Sequence, residues 1–327
     1  MNKLITVQAA IELITQGVPL SIAGPESELD QLPAGNWIGG TIPYFMVPEG
    51  GVVVQKGFVF ATDISGLGAV SFASYGPDEL EKISGNCPTN GIAITIIPAG
   101  SRSHQRFAEE AATYESAFIN PTVGWIAGVH LSDLGTVTPK VYAGSGSAKS
   151  EDRAVVAYIA LPEDKLPLID IVNLFEPDNG DLLQFPSTGF EVTNCLVNGV
   201  STNFAEYIRR KGFDHGKLPL VGDYTGARIN VSLQTVGDAG GSVALYAPVF
   251  PGIDYHFAKP VGDYAQSFRE QLTSQPSDGL VMSCNCILNF LFGELEGKAI
   301  GGVAGPITFG EIAFQLLNQT MVVVRVQ

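Results

Sequence analysis

The segment from Asp278 to Gln327, DGLVMSCNCILNFLFGELEGKAIGGVAGPITFGEIAFQLLNQTMVVVRVQ, leaves the fold the least freedom. Gly279 to Cys284 is a short apolar run with no helical punctuation, and it is read as a buried strand. From Cys286 the period changes. Ile287, Phe290, Leu291 and Leu295 fall at helical spacing, with Gly297 as the stop. Gly-rich turns follow, and Thr320–Val326 is an apolar, β-rich run of the kind that is tied into a sheet. Strand, helix, turns and strand in that order call for a sheet that carries helices.

The pair Cys284-Asn285-Cys286 falls where strand becomes helix. Amide N–H groups at a helix start lack partners and favour negative charge, so a thiolate there can have a lowered pKa. The competing reading is packing, because cysteine is among the most buried residue types. A zinc site needs four ligands at recognisable spacings. No second Cys or His pair supplies them, so no metal is expected. The glycines from Gly301 to Gly310 lack the Walker spacing and its lysine, and read as tight turns.

The chain has 327 residues, more than one hydrophobic core usually organises, so two domains or a duplicated unit are expected. Charged residues make up 16% and hydrophobic residues 45%, which excludes disorder as a class. The net charge of −15 opposes nucleic acid and anionic lipid, so neither is expected as a partner. The N-terminal segment reads as an amphipathic helix from Thr6 to Gln16 rather than a signal peptide, and no apolar run is long enough to span a bilayer. The expected location is therefore cytoplasmic.

Further helices are expected from Ser103, with Phe107, Ala111, Tyr114 and Phe118 on one face, and from the capping box Asn203–Glu206 to Gly212. Strands are expected at Val18–Gly24, Gly91–Pro98, Val123–His130, Ala154–Leu161 and Val243–Val249, among others. The Pro-rich, acidic stretch after Leu161 reads as a linker. The expected domains are thus 1–165, a linker at 166–189, and 190–327.

The two halves repeat an order of events. Trp37-Ile38-Gly39-Gly40 pairs with Leu220-Val221-Gly222-Asp223, and the Ala93–Ile97 strand with Leu280–Cys284. Ile126-Ala127-Gly128 pairs with Val303-Ala304-Gly305, and Val155–Ala157 with Val322–Val324. The fold class that follows is α+β: two tandem, internally duplicated domains, each a mixed or mostly antiparallel sheet with packed helices. A cleft at a pseudo-twofold junction would be the natural ligand site, faced by Gly39, Gly40 and Thr41 on one side and Gly222, Asp223, Tyr224 and Thr225 on the other.

Ser283-Cys284-Asn285, Gly310-Glu311-Ile312 and Asn318-Gln319-Thr320, followed by Met321–Val324, resemble the closing segment of the FIST family (F-box and intracellular signal transduction proteins). Ile38-Gly39-Gly40-Thr41 is similar to a step in that family's N-terminal domain. The resemblance implies a cytoplasmic sensory module for a small ligand such as an amino acid, with a separate signalling protein as partner. Some relatives are associated with haem. His104, His130, His215 and His256 form no haem motif, so no cofactor is expected.

The expected function is binding of a small polar metabolite, using Gly39, Gly40, Thr41, Gly222, Asp223, Tyr224, Thr225, Cys284, Asn285 and Glu311. One alternative is a cysteine-dependent hydrolase or transferase with Cys284 or Cys286 as nucleophile, a histidine as base and Glu311 or Asp223 as orienter. Another is a structural or protein-interaction module.

Overall fold

A computed structural model describes residues 2–54, 56–146, 148–224, 226–273 and 278–327. The protein is α+β, 19% helix and 42% strand, with mixed and antiparallel sheets. It divides into two compact units. The first holds Met1–Val172, Ala265–Leu316 and Met321–Gln327; the second holds Asn173–Tyr264 and Leu317–Thr320. This division differs from the tandem one expected, because the segment after residue 264 largely joins the N-terminal unit. The expected linker at 166–189 contains the strand Pro167–Asn173, which lies beside Thr320–Val326 at the edge of a sheet.

The first unit is built on three six-stranded sheets. One runs in the order Asn2–Thr6, Phe58–Asp63, Leu20–Gly24, Trp37–Thr41, Val141–Ala143, Ala148–Ser150. Its Leu20–Gly24 and Trp37–Thr41 strands are parallel, and the helix Val7–Thr15 covers it. Thr6 caps that helix by accepting the Ala9 N–H, and Gly17 follows its end with φ 79°. Val7, Ala10 and Ile14 share one face and pack with Leu20, Ile22, Leu29, Trp37 and Val59. Burying side chains of the Val and Ile kind contributes about 1.5–3 kcal/mol each.

The second sheet runs Gln315–Leu317, Glu311–Ala313, Thr122–Ala127, Gly91–Pro98, Ala154–Ala160, Ala69–Tyr75. The third runs Gly50–Val53, Tyr44–Val47, Gly305–Thr308, Leu280–Cys286, Thr320–Val326, Pro167–Asn173. Their centres follow the same path. Gly91–Pro98 is parallel to Thr122–Ala127 and antiparallel to Ala154–Ala160, as Leu280–Cys286 is parallel to Gly305–Thr308 and antiparallel to Thr320–Val326. Two of the four sequence pairings therefore fall on strands of like position. Ile126-Ala127-Gly128 closes its strand whereas Val303 and Ala304 precede theirs, and the fourth pairing also differs. Trp37–Thr41 has a parallel neighbour, whereas Leu220–Tyr224 is antiparallel to both of its neighbours.

The second unit contains a six-stranded sheet that includes Leu220–Tyr224, and a three-stranded sheet of Gly189–Val192, Val243–Val249 and Leu233–Val236. Its helix Phe204–Lys211 is capped by Asn203, which accepts the Glu206 N–H, and it ends at Gly212 with φ 73°. The helix after Ser101 is shorter than its apolar spacing suggests. It spans Arg102–Glu110; a 3-10 turn follows, Ser116 takes φ 63°, and Phe118 is left exposed. No helix among the described residues is long and apolar enough to cross a membrane.

Candidate functional site

Three strands of the first unit end at one place. The chain leaves Leu20–Gly24 into Pro25 and Glu26, leaves Trp37–Thr41 into Ile42 and Pro43, and leaves Thr122–Ala127 into Gly128, Val129 and His130. These residues, with Val54 and the 132–138 loop, line a cavity of about 370 Å³. That volume falls within the range of small-molecule sites, and the carboxyl ends of strands are a common place for them.

Thr41 anchors the cavity wall. Its N–H donates to the Lys140 carbonyl, its hydroxyl accepts the Lys140 N–H, and its carbonyl accepts the Gly128 N–H. Glu26 is held by two lysines, with Lys140 Nζ 2.8 Å from one oxygen and Lys149 Nζ 2.8 Å from the other. Burial alone would raise the Glu26 pKa, but hydrogen bonds and charge from these lysines outweigh it and hold the carboxyl below its usual value.

His130, Ser132 and Asp133 form the opposite side. The His130 ring stacks on Tyr44 with centroids 5.6 Å apart. Its Nδ1 accepts the Ser132 N–H at 3.2 Å and lies 2.7 Å from Ser132 Oγ, so the histidine caps the short 3-10 turn Leu131–Asp133. The Ser132 hydroxyl lies 3.1 Å from Asp133 Oδ1. The Tyr44 hydroxyl accepts the Leu131 N–H. Burial pushes its pKa up, and the charges of Asp133 and Glu296 add to the rise.

The residues expected at the site fall in three places. Thr41 lines the cavity. Gly39 and Gly40 lie in the buried strand behind it and serve close packing: a Cβ on Gly40 would come within 2.7 Å of the Ile96 side chain and 2.8 Å of the Trp125 ring. Gly222, Asp223 and Tyr224 belong to the second unit and do not line the cavity. There Asp223 accepts the Gly226 N–H, and the Tyr224 hydroxyl bonds that of Tyr255 at 2.9 Å. Thr225 lies outside the described residues.

Cys284, Asn285 and Glu311 are in the interior of the first unit, each 1% exposed or less. The Cys284 thiol donates to the Gly124 carbonyl, and Asn285 Oδ1 accepts from Asn289. Thr308 Oγ1 lies 3.4 Å from Glu311 Oε1. The expectation of an activated thiol at Cys284 is corrected here. Burial raises its pKa well above the ordinary value and nearby Glu311 adds to the rise, whereas a nucleophile needs access and a lowered pKa. Cys286, which sits at the start of the helix Ile287–Phe292, is 1% exposed. Among the described residues, no group of three or more His, Cys, Asp or Glu is placed to hold a metal ion.

A family model matches residues 5–327, nearly the whole chain. The chain belongs to DUF6976, a family of unknown function. The resemblance to the FIST family is thereby corrected, since no FIST model matches. The short matches behind it answer to local packing needs in this DUF6976 chain. Glu311 is interior, and Asn318 and Gln319 bond Ser232 and Asn230 in the second unit. The sensory role and signalling partner that the resemblance implied lose their basis with it. No curated protein matches the chain.

Sequence reasoning missed Glu26, His130, Ser132, Asp133 and Lys140. A usable signal was present. His130-Leu-Ser-Asp133 follows Gly128-Val129 at a strand end and gathers three polar side chains in a turn.

Proposed function

We propose that the protein binds a small polar metabolite in the cavity at the ends of the Leu20–Gly24, Trp37–Thr41 and Thr122–Ala127 strands. The observation that carries this reading is the cavity itself, about 370 Å³ with polar groups of Glu26, Ser27, His130, Ser132 and Asp133 set among apolar walls. Such a mixture suits a ligand that is oriented by a few polar contacts and held by apolar ones. The binding takes place in a reducing, cytoplasmic compartment, a placement supported by four buried thiols, none in a disulfide.

The test is a thermal-shift screen of amino acids, amines, nucleotides and organic acids against the wild type and Thr138→Trp, which fills the cavity from an exposed lining position. A ligand at about 100 times its dissociation constant adds roughly 2.7 kcal/mol of stability. The expected result is a selective rise in melting temperature that Thr138→Trp abolishes. A rise that survives Thr138→Trp, or no rise with any compound, sinks the reading.

A further inference from the structure

The lining of the cavity is uneven in charge. It contains two carboxylates, Glu26 and Asp133, and no lysine or arginine. Both oxygens of Glu26 are taken by the lysines behind the wall, Lys140 and Lys149. Lys140 is itself only 15% exposed and also lies 3.5 Å from Glu151, so it is turned toward the surrounding acids. Asp133 has no ion pair among the described residues; its Oδ1 accepts from the Ser132 hydroxyl. Beside it, His130 Nδ1 accepts the Ser132 N–H and lies 2.7 Å from the Ser132 hydroxyl.

We propose that the ligand carries a cationic nitrogen, a primary ammonium or a guanidinium, that seats against the Asp133 carboxylate, with its apolar part along Ile42, Pro43, Val54 and Val129. This rests on the cavity being the binding site. A neutral ligand would strip water from the Asp133 charge without replacing it, which is costly. An anionic ligand would face the Asp133 carboxylate with no lysine or arginine in the lining to offset it. An ammonium supplies the missing counter-charge and donates charge-assisted hydrogen bonds.

The experiment uses three probes of matched length: 1,5-diaminopentane, 1,5-pentanediol and glutarate. Binding to the full chain is measured by calorimetry and thermal shift for the wild type, Asp133→Asn, Asp133→Glu and Thr138→Trp. The expected result is that the diamine alone binds the wild type. Asp133→Asn should weaken it roughly tenfold or more, Asp133→Glu should restore much of it, and Thr138→Trp should abolish it. Equal binding by Asp133→Asn, or preference for the diol or glutarate, overturns the charge assignment; if Thr138→Trp still abolishes that binding, the cavity stands as the site. No binding by any of the three probes also overturns the assignment, and the wider screen then decides separately on the cavity.

Discussion

Thr41 and Lys140 are joined by a reciprocal pair of hydrogen bonds, the Thr41 N–H to the Lys140 carbonyl and the Lys140 N–H to the Thr41 hydroxyl, each 2.9 Å. Thr41 is 4% exposed, so its hydroxyl is a structural acceptor rather than a group offered to a ligand. Thr41→Val keeps the shape and leaves the Lys140 N–H without that acceptor. The expected cost is about 1–3 kcal/mol, read as a lower urea midpoint with an unchanged slope. Thr41→Ser, which keeps the oxygen, should lose less than Thr41→Val.

Gly124 admits no side chain. Its φ is 145°, and a Cβ there would lie 1.8 Å from the Thr95 carbonyl oxygen, a backbone atom that cannot swing aside. The same residue's carbonyl receives the Cys284 thiol. Gly124→Ala should therefore cost roughly 3 kcal/mol or more, seen as a large fall in melting temperature or as insoluble protein. A melting temperature within a degree or two of wild type would show that the Gly91–Pro98 and Thr122–Ala127 strands can shift apart there.

Acid should loosen the wall of the cavity. Burial would raise the pKa of both Glu26 and Asp30, but Lys140 and Lys149 on Glu26, and Lys149 and Tyr142 on Asp30, lower both below their ordinary values. A carboxyl whose folded pKa is depressed contributes stability that is whole above its unfolded pKa and is lost as pH falls through the folded value. Stability should thus decline from about pH 4.5 downward, and Glu26→Gln should flatten the decline. A Glu26→Gln profile that superimposes on wild type in denaturant titrations across that range would contradict this assignment.

At the alkaline end the thiols act in the opposite sense. Burial pushes Cys87 up to about 11 and Cys195 up to about 12, and holds Cys284 well above its ordinary value. An acid whose folded pKa is raised contributes stability that is whole below its unfolded pKa, near 8.5, and is lost as pH rises through the folded value. Two outcomes are expected: falling stability above about pH 9, and labelling by iodoacetamide at pH 8 that is slow in the native protein and fast in denaturant. Rapid native labelling of Cys284 or Cys286 would return thiol chemistry to consideration.

In the second unit, Asn230 is fully buried, and its amide donates toward Asn173, the Asn318 carbonyl and the Gln319 carbonyl. Asn230→Ala strands these acceptors at roughly 1–3 kcal/mol for each group left unmet. Both tryptophans, Trp37 and Trp125, lie in the first unit, so their fluorescence does not report on this change directly. Hydrogen exchange should show it as faster exchange in the Leu220–Tyr224 and Ala227–Val231 strands.

Local chemistry was legible in the sequence and long-range pairing was not. Asn203 and Gly212 bound their helix because cap residues act on backbone groups within one turn. Thr6 and Gly17 did the same for Val7–Thr15. The apolar spacing from Phe107 to Phe118 ran past the helix end, since spacing alone does not register the left-handed turn at Ser116. The cavity escaped because its members lie at the ends of strands from distant parts of the chain. What brings Glu26, Thr41 and Asp133 together is a strand order that no single stretch encodes. Cys284 and Glu311 looked chemical for the opposite reason: their types are those of active sites, and only burial reveals a packing role.

The discontinuous first unit bears on how the protein is made. Asn2 donates to the Val281 carbonyl across 279 positions, and Leu280–Cys286 pairs with strands that come still later. During synthesis the early strands leave the ribosome long before their partners exist, and the unit cannot close until residues beyond 320 have emerged. The ordering cost of such distant closures is met before the contacts repay it, so folding of the unit should be slow and should wait for the late strands. The waiting strands, apolar and with unsatisfied edges, are then natural clients for chaperones.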